Sequence, residues 1–362
     1  MMSTTTPARK LLQNDIETAR SQFYDTIRAD GLTPLWTVMG NFVTPEPVSP
    51  VRPAHWKYDL VRNHLLRAGD LISAEEAERR VLILENPGLP GSSLITRSLY
   101  AGFQLVRPGE VAACHRHTQS ALRFILEGAG AFTAVNGEKA VMEPFDLILT
   151  PNMQWHDHGN DTDRDIIWLD GLDIGVVQLF DASFSNRLGE SAHQETRPAG
   201  DTLRRFGQNL RPVTGFRSEN YPLFHYPYAT WRETLQSMQS ADAPDAAYGY
   251  RAEFLNPANG GPVLPTISAF VQLVPSGMTT SPMRSTDSTV YTVVEGSGTV
   301  LVGTNQLPVE ARDVFVVPSW HPVSIEAASE LVLFSYSDRA AQAKLGLWNE
   351  RRDEPLPSRR ST

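Results

Sequence analysis

The stretch His115-Arg116-His117-Thr118-Gln119-Ser120-Ala121-Leu122-Arg123-Phe124-Ile125-Leu126-Glu127-Gly128 carries both the chemistry and the architecture of the chain. It opens with two histidines one residue apart and runs into a short apolar segment that stops at glycine. Side chains alternate faces along a strand, so His115 and His117 point one way and Cys114 and Arg116 the other. Two rings on one face can chelate one metal ion, and a third ligand must then come from a neighbouring strand. His156 is the candidate, because it follows the apolar run Leu147–Pro151 and a short turn. The chain has nine histidines, and four of them fall in this stretch and in Pro151–His158, a clustering that favours a site over scattered packing roles. Cys114 reads as packing.

Working outward, short apolar runs alternate with Gly, Pro and Asn from about Arg80 onward: RVLILENPG, SLYAGFQLVRPGE, FDLILTPN, IIWLDGLD. Runs of this length, rich in Val, Ile, Leu and Phe, are the signature of a β-sandwich or barrel. The pattern also repeats. Gln104–Gly109 recurs as Gln272–Gly277 and Phe124–Gly130 as Thr292–Gly298, both at an offset of 168, while Asp146–Pro151 recurs as Asp313–Pro318 at 167. Three matches in one order at one offset predict two copies of one β-barrel unit. Residues 1–79 are expected to form a helical arm, with a helix over Leu12–Ile27, an extended Pro-rich passage at 44–53 and a helix start at Ser73–Glu76. Residues 80–189 then form the metal-binding barrel, 190–255 a connection with a possible helix at Tyr228–Leu235, 256–350 a second barrel, and 351–362 a tail. At the repeat offset, His115 and His117 become Met283 and Ser285, and His156 becomes Val323. The second barrel is therefore expected to lack this metal site, giving one metal per chain, with His321 structural.

Composition bounds the rest. Hydrophobic residues make up 41% and charged residues 20% of 362, an ordinary globular balance. No apolar run approaches the roughly 20 residues that span a bilayer, and no leader sequence is evident, so no membrane association is expected. One cysteine excludes an intrachain disulfide and fits a cytoplasmic protein. A formal charge of −9 argues against a nucleic-acid partner but permits an anionic small substrate.

The spacing resembles the two motifs of the cupin superfamily: Gly109, five residues, then His115 and His117, followed later by Pro151, His156 and Asn160. Two departures stand out. The pattern's usual Glu ligand is replaced by Ala121 and Leu122, and a usual Gly by Met153. Three neutral imidazoles leave the full charge on a divalent ion and leave coordination sites open, a variant of the facial-triad logic of non-haem iron oxygenases. Beyond these motifs, TPLW (Thr33–Trp36), LLRAGDLISAEEAERRVLILENPG, SLYAGFQL, HRHTQSALRFILEG, ILTPNMQWHDHGN and WLDGLDI resemble the bicupin ring-cleaving dioxygenases that act on gentisate, salicylate or 1-hydroxy-2-naphthoate. The resemblance implies a mainly β bicupin fold with two jelly-roll barrels and an N-terminal helical segment. It also implies Fe(II), O2 as co-substrate, an aromatic 2-hydroxy acid opened between its carboxyl- and hydroxyl-bearing carbons, and a homotetramer.

Arg123 is the expected carboxylate partner, since a charge near the start of an apolar strand must find a counterpart; the alternative is an ion pair with Glu127. Arg79 is a second candidate, or else a solvated helix end. His158 is expected either to donate to the substrate or act as acid and base, or to be structural. Tyr100, Gln104 and Asp170 could line the pocket, with Asp170 alternatively supporting a ligand histidine. Gentisate is the first expectation. Salicylates or 1-hydroxy-2-naphthoate, a non-catalytic ligand-binding cupin, and a metal-dependent isomerase or hydrolase stand as alternatives.

Overall fold

A computed structural model describes residues 7–190, 192, 194–208, 210, 212–214 and 222–352, with the backbone alone for 7–14. The chain divides into two units, Met1–Val48 and Ser49–Thr362. In the first, the helix Pro7–Ala29 ends where Gly31, at φ +74°, turns the chain back and Leu32 N–H bonds the carbonyl of Ile27. The helix Leu35–Phe42 follows, tied to the first by Trp36 Nε1–H on the Tyr24 hydroxyl at 3.0 Å.

The second unit holds two antiparallel barrels, each made of a six-stranded and a five-stranded sheet. In the first barrel the six-stranded sheet runs His225–Tyr226, Leu147–Thr150, Ala121–Glu127, Ile166–Leu172, Tyr100–Val106, Arg80–Ile83. The second barrel repeats that order with Ala54–Trp56, Val314–Val317, Thr289–Glu295, Leu331–Ser337, Ser268–Val274, Tyr250–Glu253. The two barrels expected from the repeats, and the jelly-roll bicupin that the resemblance implies, are the observed fold. The duplication extends to strained backbone: Phe145 and Arg312 share φ near +68°, and Met153 and Trp320 sit at +60° and +63°.

One feature lies outside the expected boundaries. Each repeat begins with a short strand that pairs with the other repeat's barrel. Ala54–Trp56, inside the segment read as an arm, pairs with Val314–Val316, and His225–Tyr226, inside the segment read as a connection, pairs with Leu147–Ile148. The helix that follows each strand returns to its own barrel: Tyr58–Leu71 packs on Arg80–Ile83 and Tyr100–Val106, and Tyr228–Ala241 on Tyr250–Glu253 and Ser268–Val274. Each joint is a buried carboxylate. Asp313 accepts from His55 Nε2 at 3.0 Å and from Tyr58 N–H at 2.9 Å; Asp146 accepts from His225 Nε2 and Tyr228 N–H, both at 2.8 Å. One turn further along, Tyr58 and Arg62 hold Glu127 as Tyr228 and Arg232 hold Glu295.

The main apolar core is shared by both barrels and includes Leu122, Phe124, Leu169, Val271, Phe334 and Tyr336. Phe124 and Phe334 stack across the interface with ring centroids 4.0 Å apart. No helix among the described residues is long and apolar enough to cross a membrane.

Removing the Asp313 carboxylate strands the buried Tyr58 N–H and the half-buried His55 ring and Glu310 N–H, so Asp313→Ala should cost about 3 kcal/mol. Asp146→Ala should cost a similar amount. Urea denaturation of both variants checks this, and losses below about 1 kcal/mol would show that the joints are not what ties the barrels.

Candidate metal centre

His115 and His117 end the strand Val111–His117, and His156 begins the strand His156–Gly159. Antiparallel pairing sets His115 directly opposite His156, after a register shift between Ala112 and His115 that re-aims the strand end. Met153 N–H bonds the His117 carbonyl at 2.7 Å and closes the turn before His156. The positive φ at Met153 shows why glycine is the ordinary residue at this place in the motif.

All three rings are buried, and their ligand atoms lie within 4.8 Å of one another. Each Nδ1 meets a local backbone carbonyl: His115 on Ala113 at 2.8 Å, His117 on Gln119 at 2.8 Å, His156 on Gln154 at 2.9 Å. A carbonyl only accepts, so each Nδ1 carries the proton and each Nε2 presents a lone pair. His156 Nε2 is buried without a hydrogen-bond partner among the described residues. Burial, reinforced for His115 by Arg79, holds His115 at about 3 and His117 at about 4, and drives His156 well below its ordinary value. Neutral imidazoles with converging lone pairs fit a divalent transition ion. At the matching place in the second barrel Met283 stands opposite Val323, a thioether and an alkyl group.

The same interior holds a charged set. Arg123, 4% exposed, donates from Nη1 to Thr150 Oγ1 at 3.0 Å, and its Nε lies 3.4 Å from Asp170 Oδ1 without forming a hydrogen bond. Burial draws Arg123 down to about 10 and pushes Asp170 up; the guanidinium still carries its proton at neutral pH. The alternative pairing of Arg123 with Glu127 is wrong, because Glu127 at the far end of the strand is taken by Arg62 and Tyr58. Asp170 likewise does not support a ligand histidine: it accepts from Trp168 Nε1 at 3.0 Å, while the histidines use backbone carbonyls.

Arg79 is not a solvated helix end. It follows Glu78, whose φ of +53° turns the chain, and its guanidinium reaches in to donate to His115 Nε2 while the rest of the side chain faces an open cleft. That cleft, of about 1250 Å³, is lined by His115, His117, Arg79, Gln119 and Leu172, and Glu78 and Arg187 pair at its rim at 2.7 Å. Tyr100 is half-buried opposite Leu172, with its hydroxyl beside Gly102, and Gln104 is buried opposite Trp168. Trp155 packs under Arg116, and Asn160 ties its loop to the carbonyls of Val106 and Arg164.

His158 is buried beside His156, with ring centroids 5.5 Å apart and its Nε2 unpartnered among the described residues. Its Nδ1 meets Thr133 Oγ1 at 2.8 Å, and that hydroxyl also faces Met142 Sδ at 3.3 Å. Thr133, Thr150 and Trp168 were not among the expected residues. Thr133 is the Cα partner of His158, a relation that appears only once the register of two separate strands is known.

Comparison with known proteins agrees with this geometry. A model described as Cupin domain matches residues 102–172. Gentisate 1,2 dioxygenase 1 of Aquipseudomonas alcaligenes is 50% identical over 92% of this chain and 96% of its own length. The 5-aminosalicylate 1,2-dioxygenase of a Comamonas species is 38% identical over 90% and 88%. The crystal structure of the salicylate 1,2-dioxygenase of Pseudoaminobacter salicylatoxidans with gentisate superposes with a TM-score of 0.86 at 31% identity, covering 98% of this chain and 96% of that one. With three converging imidazoles inside a duplicated cupin and relatives matched over nearly their whole length, the chain belongs to the cupin gentisate and salicylate 1,2-dioxygenase family of metal-dependent, O2-using oxidoreductases.

Proposed function

We propose that the chain is an Fe(II)-dependent dioxygenase that opens gentisate between its carboxyl- and hydroxyl-bearing carbons, with one iron held by His115, His117 and His156. The observation that carries this reading is the charge of the interior. The three histidines are neutral, the buried guanidinium of Arg123 lies beside the Asp170 carboxylate, and Arg79 adds a second cation at His115 from the cleft. A divalent ion adds two further positive charges, so the site favours a chelating anion over a neutral ligand.

In this reading Arg123 binds the substrate carboxylate with the face not turned to Thr150, and Asp170 holds the guanidinium in place. Arg79 supplies a second cation from the cleft side. If the Thr133 hydroxyl donates to Met142 sulfur, it accepts from His158 Nδ1–H, and His158 Nε2 is then a lone pair able to take the substrate hydroxyl proton. Tyr100 and Gln104 line the ring's seat. When bound, iron would bring O2 and the electron-rich ring into contact and let density pass from one to the other. The wall on the Arg123 face is dry at Trp168, Ile125 and Ile148, each fully buried.

A second reading, a 5-substituted salicylate as substrate, is supported by the 5-aminosalicylate enzyme among the relatives. The chain is further read as a cytoplasmic homotetramer without nucleic-acid or membrane partners. Its exposed Trp36, Met39 and Phe42 are apolar surface suited to a second copy.

Anaerobic loading with Fe(II), followed by O2 uptake with gentisate, salicylate, 5-substituted salicylates and 1-hydroxy-2-naphthoate, tests the function. One O2 consumed per ring-opened product, fastest with gentisate, is expected. No uptake with any of them at full iron occupancy would point to a non-catalytic cupin.

His117→Ala should lower bound metal from one per chain to below about a tenth, and remove the rise in melting temperature that metal gives the wild type. Elemental analysis and calorimetry read both, and full occupancy in the variant would refute the ligand assignment. Thr133→Val should reduce kcat by about 10²-fold, with Thr133→Ser restoring most of it. Equal loss in both variants would mean that the hydroxyl does not act on His158.

A further inference from the structure

A side chain of the second barrel touches the strands that frame the site of the first. Tyr336, in the strand Leu331–Ser337, is fully buried, and its hydroxyl crosses the interface to donate to the Tyr100 carbonyl at 2.8 Å. Its ring lies against Gly171, where a Cβ would come within 2.7 Å of the ring carbon Cζ. Gly171 neighbours Asp170 and is the Cα partner of Ala101, which neighbours Tyr100. One phenol therefore touches both strands that present Asp170 and Tyr100 to the interior.

Tyr100 needs that contact for a reason visible in the pairing. On one side it pairs with Leu172. On the other side the ladder with Arg80–Ile83 ends opposite Gly102, and the last backbone bond of that flank, Leu84 N–H on the Ala101 carbonyl at 2.9 Å, stops one residue short of Tyr100. The backbone of Tyr100 is thus at a strand start with strand support on one flank, and the Tyr336 hydroxyl supplies a bond there from the other barrel. The Tyr100 hydroxyl in turn lies close to Gly102, in the field of Asp170 and Arg79.

We propose that Tyr336 is a positioning residue for the aromatic-acid pocket, holding the Tyr100 backbone so that its phenol keeps its place beside Gly102. The metal-free barrel then contributes to substrate binding in the metal-bearing one. This rests on the reading that Tyr100 lines the substrate's seat.

The test uses Fe(II)-loaded full-length protein and compares Tyr336→Phe with a matched control, Tyr226→Phe. The control loses the same kind of bond, a phenol on the Leu255 carbonyl at 2.8 Å, away from the first barrel's interior. Both should lower the melting temperature by about 1–2 °C. Tyr336→Phe alone should raise KM for gentisate roughly fivefold with kcat within about twofold of wild type. Its dissociation constant for gentisate, measured by calorimetry without O2, should rise in parallel. Gly171→Ala, which crowds the same ring while leaving its hydroxyl, should raise KM as well. Wild-type KM in either folded variant, or an equal rise in Tyr226→Phe, would overturn the proposal. Tyr100→Ala separates it from its premise: if that variant also binds gentisate like wild type, the pocket reading fails, and if it binds weakly while Tyr336→Phe does not, only the role of Tyr336 fails.

Discussion

Everything in the larger unit depends on burying both faces of the two six-stranded sheets. Along Ala121–Leu126, Ile166–Gly171, Ser268–Val274 and Leu331–Ser337 every residue is buried, with no alternation of buried and exposed positions. A jelly roll covers only the inward face of such a sheet. The outward face, with Phe124 on one side and Phe334 on the other, is covered by the second copy. The repeat is thus a packing requirement, and the exchanged strands reinforce it by making each sheet's edge strand the property of the other repeat.

This dryness has a consequence in the first barrel's interior. In a dry barrel, ionised groups are tolerated only with partners, and histidines lose their protons. Arg123 and Asp170 satisfy that rule as a pair, and the three ligand histidines satisfy it by being neutral. The backbone carbonyls of Ala113, Gln119 and Gln154 then decide which nitrogen of each ring carries the lone pair. Burial and local backbone geometry, acting together, convert three separated histidines into one ligand set.

Much of this was legible in the chain. His115 and His117 share a strand, so their common face follows from a period of two, and the three repeated segments announce the second barrel before any coordinates do. The exchanged strands were not legible. Ala-His-Trp is three residues long, follows a run of prolines, and pairs with residues more than 250 positions away, so nothing local marks it as a strand. The helix Tyr58–Leu71 gives a weak local signal for a related reason: its buried face is only Tyr58, Val61 and Leu65, with polar residues elsewhere. Partners of the site residues were hidden in the same way. Whether Arg123 meets Glu127 or Asp170 depends on which strand lies beside it, and both carboxylates are plausible until the pairing of Arg123 with Asp170 is known.

Charge and shape divide the question of substrate between them. In the proposed reading, the neutral ligand set, Arg123 and Arg79 favour any aromatic acid that can chelate through a carboxylate and an adjacent hydroxyl. Gentisate and the salicylates all meet that condition, so electrostatics selects the class. The hydroxyl that distinguishes gentisate lies para to the chelating hydroxyl, away from the carboxylate and the cations proposed to hold it. On the proposed reading, selection among the members of the class falls to the walls, where Tyr100, Gly102 and Gln104 follow one another on one face of a single strand. A family that keeps its charged centre while varying such a wall would contain both gentisate and salicylate enzymes, and the relatives of this chain include both.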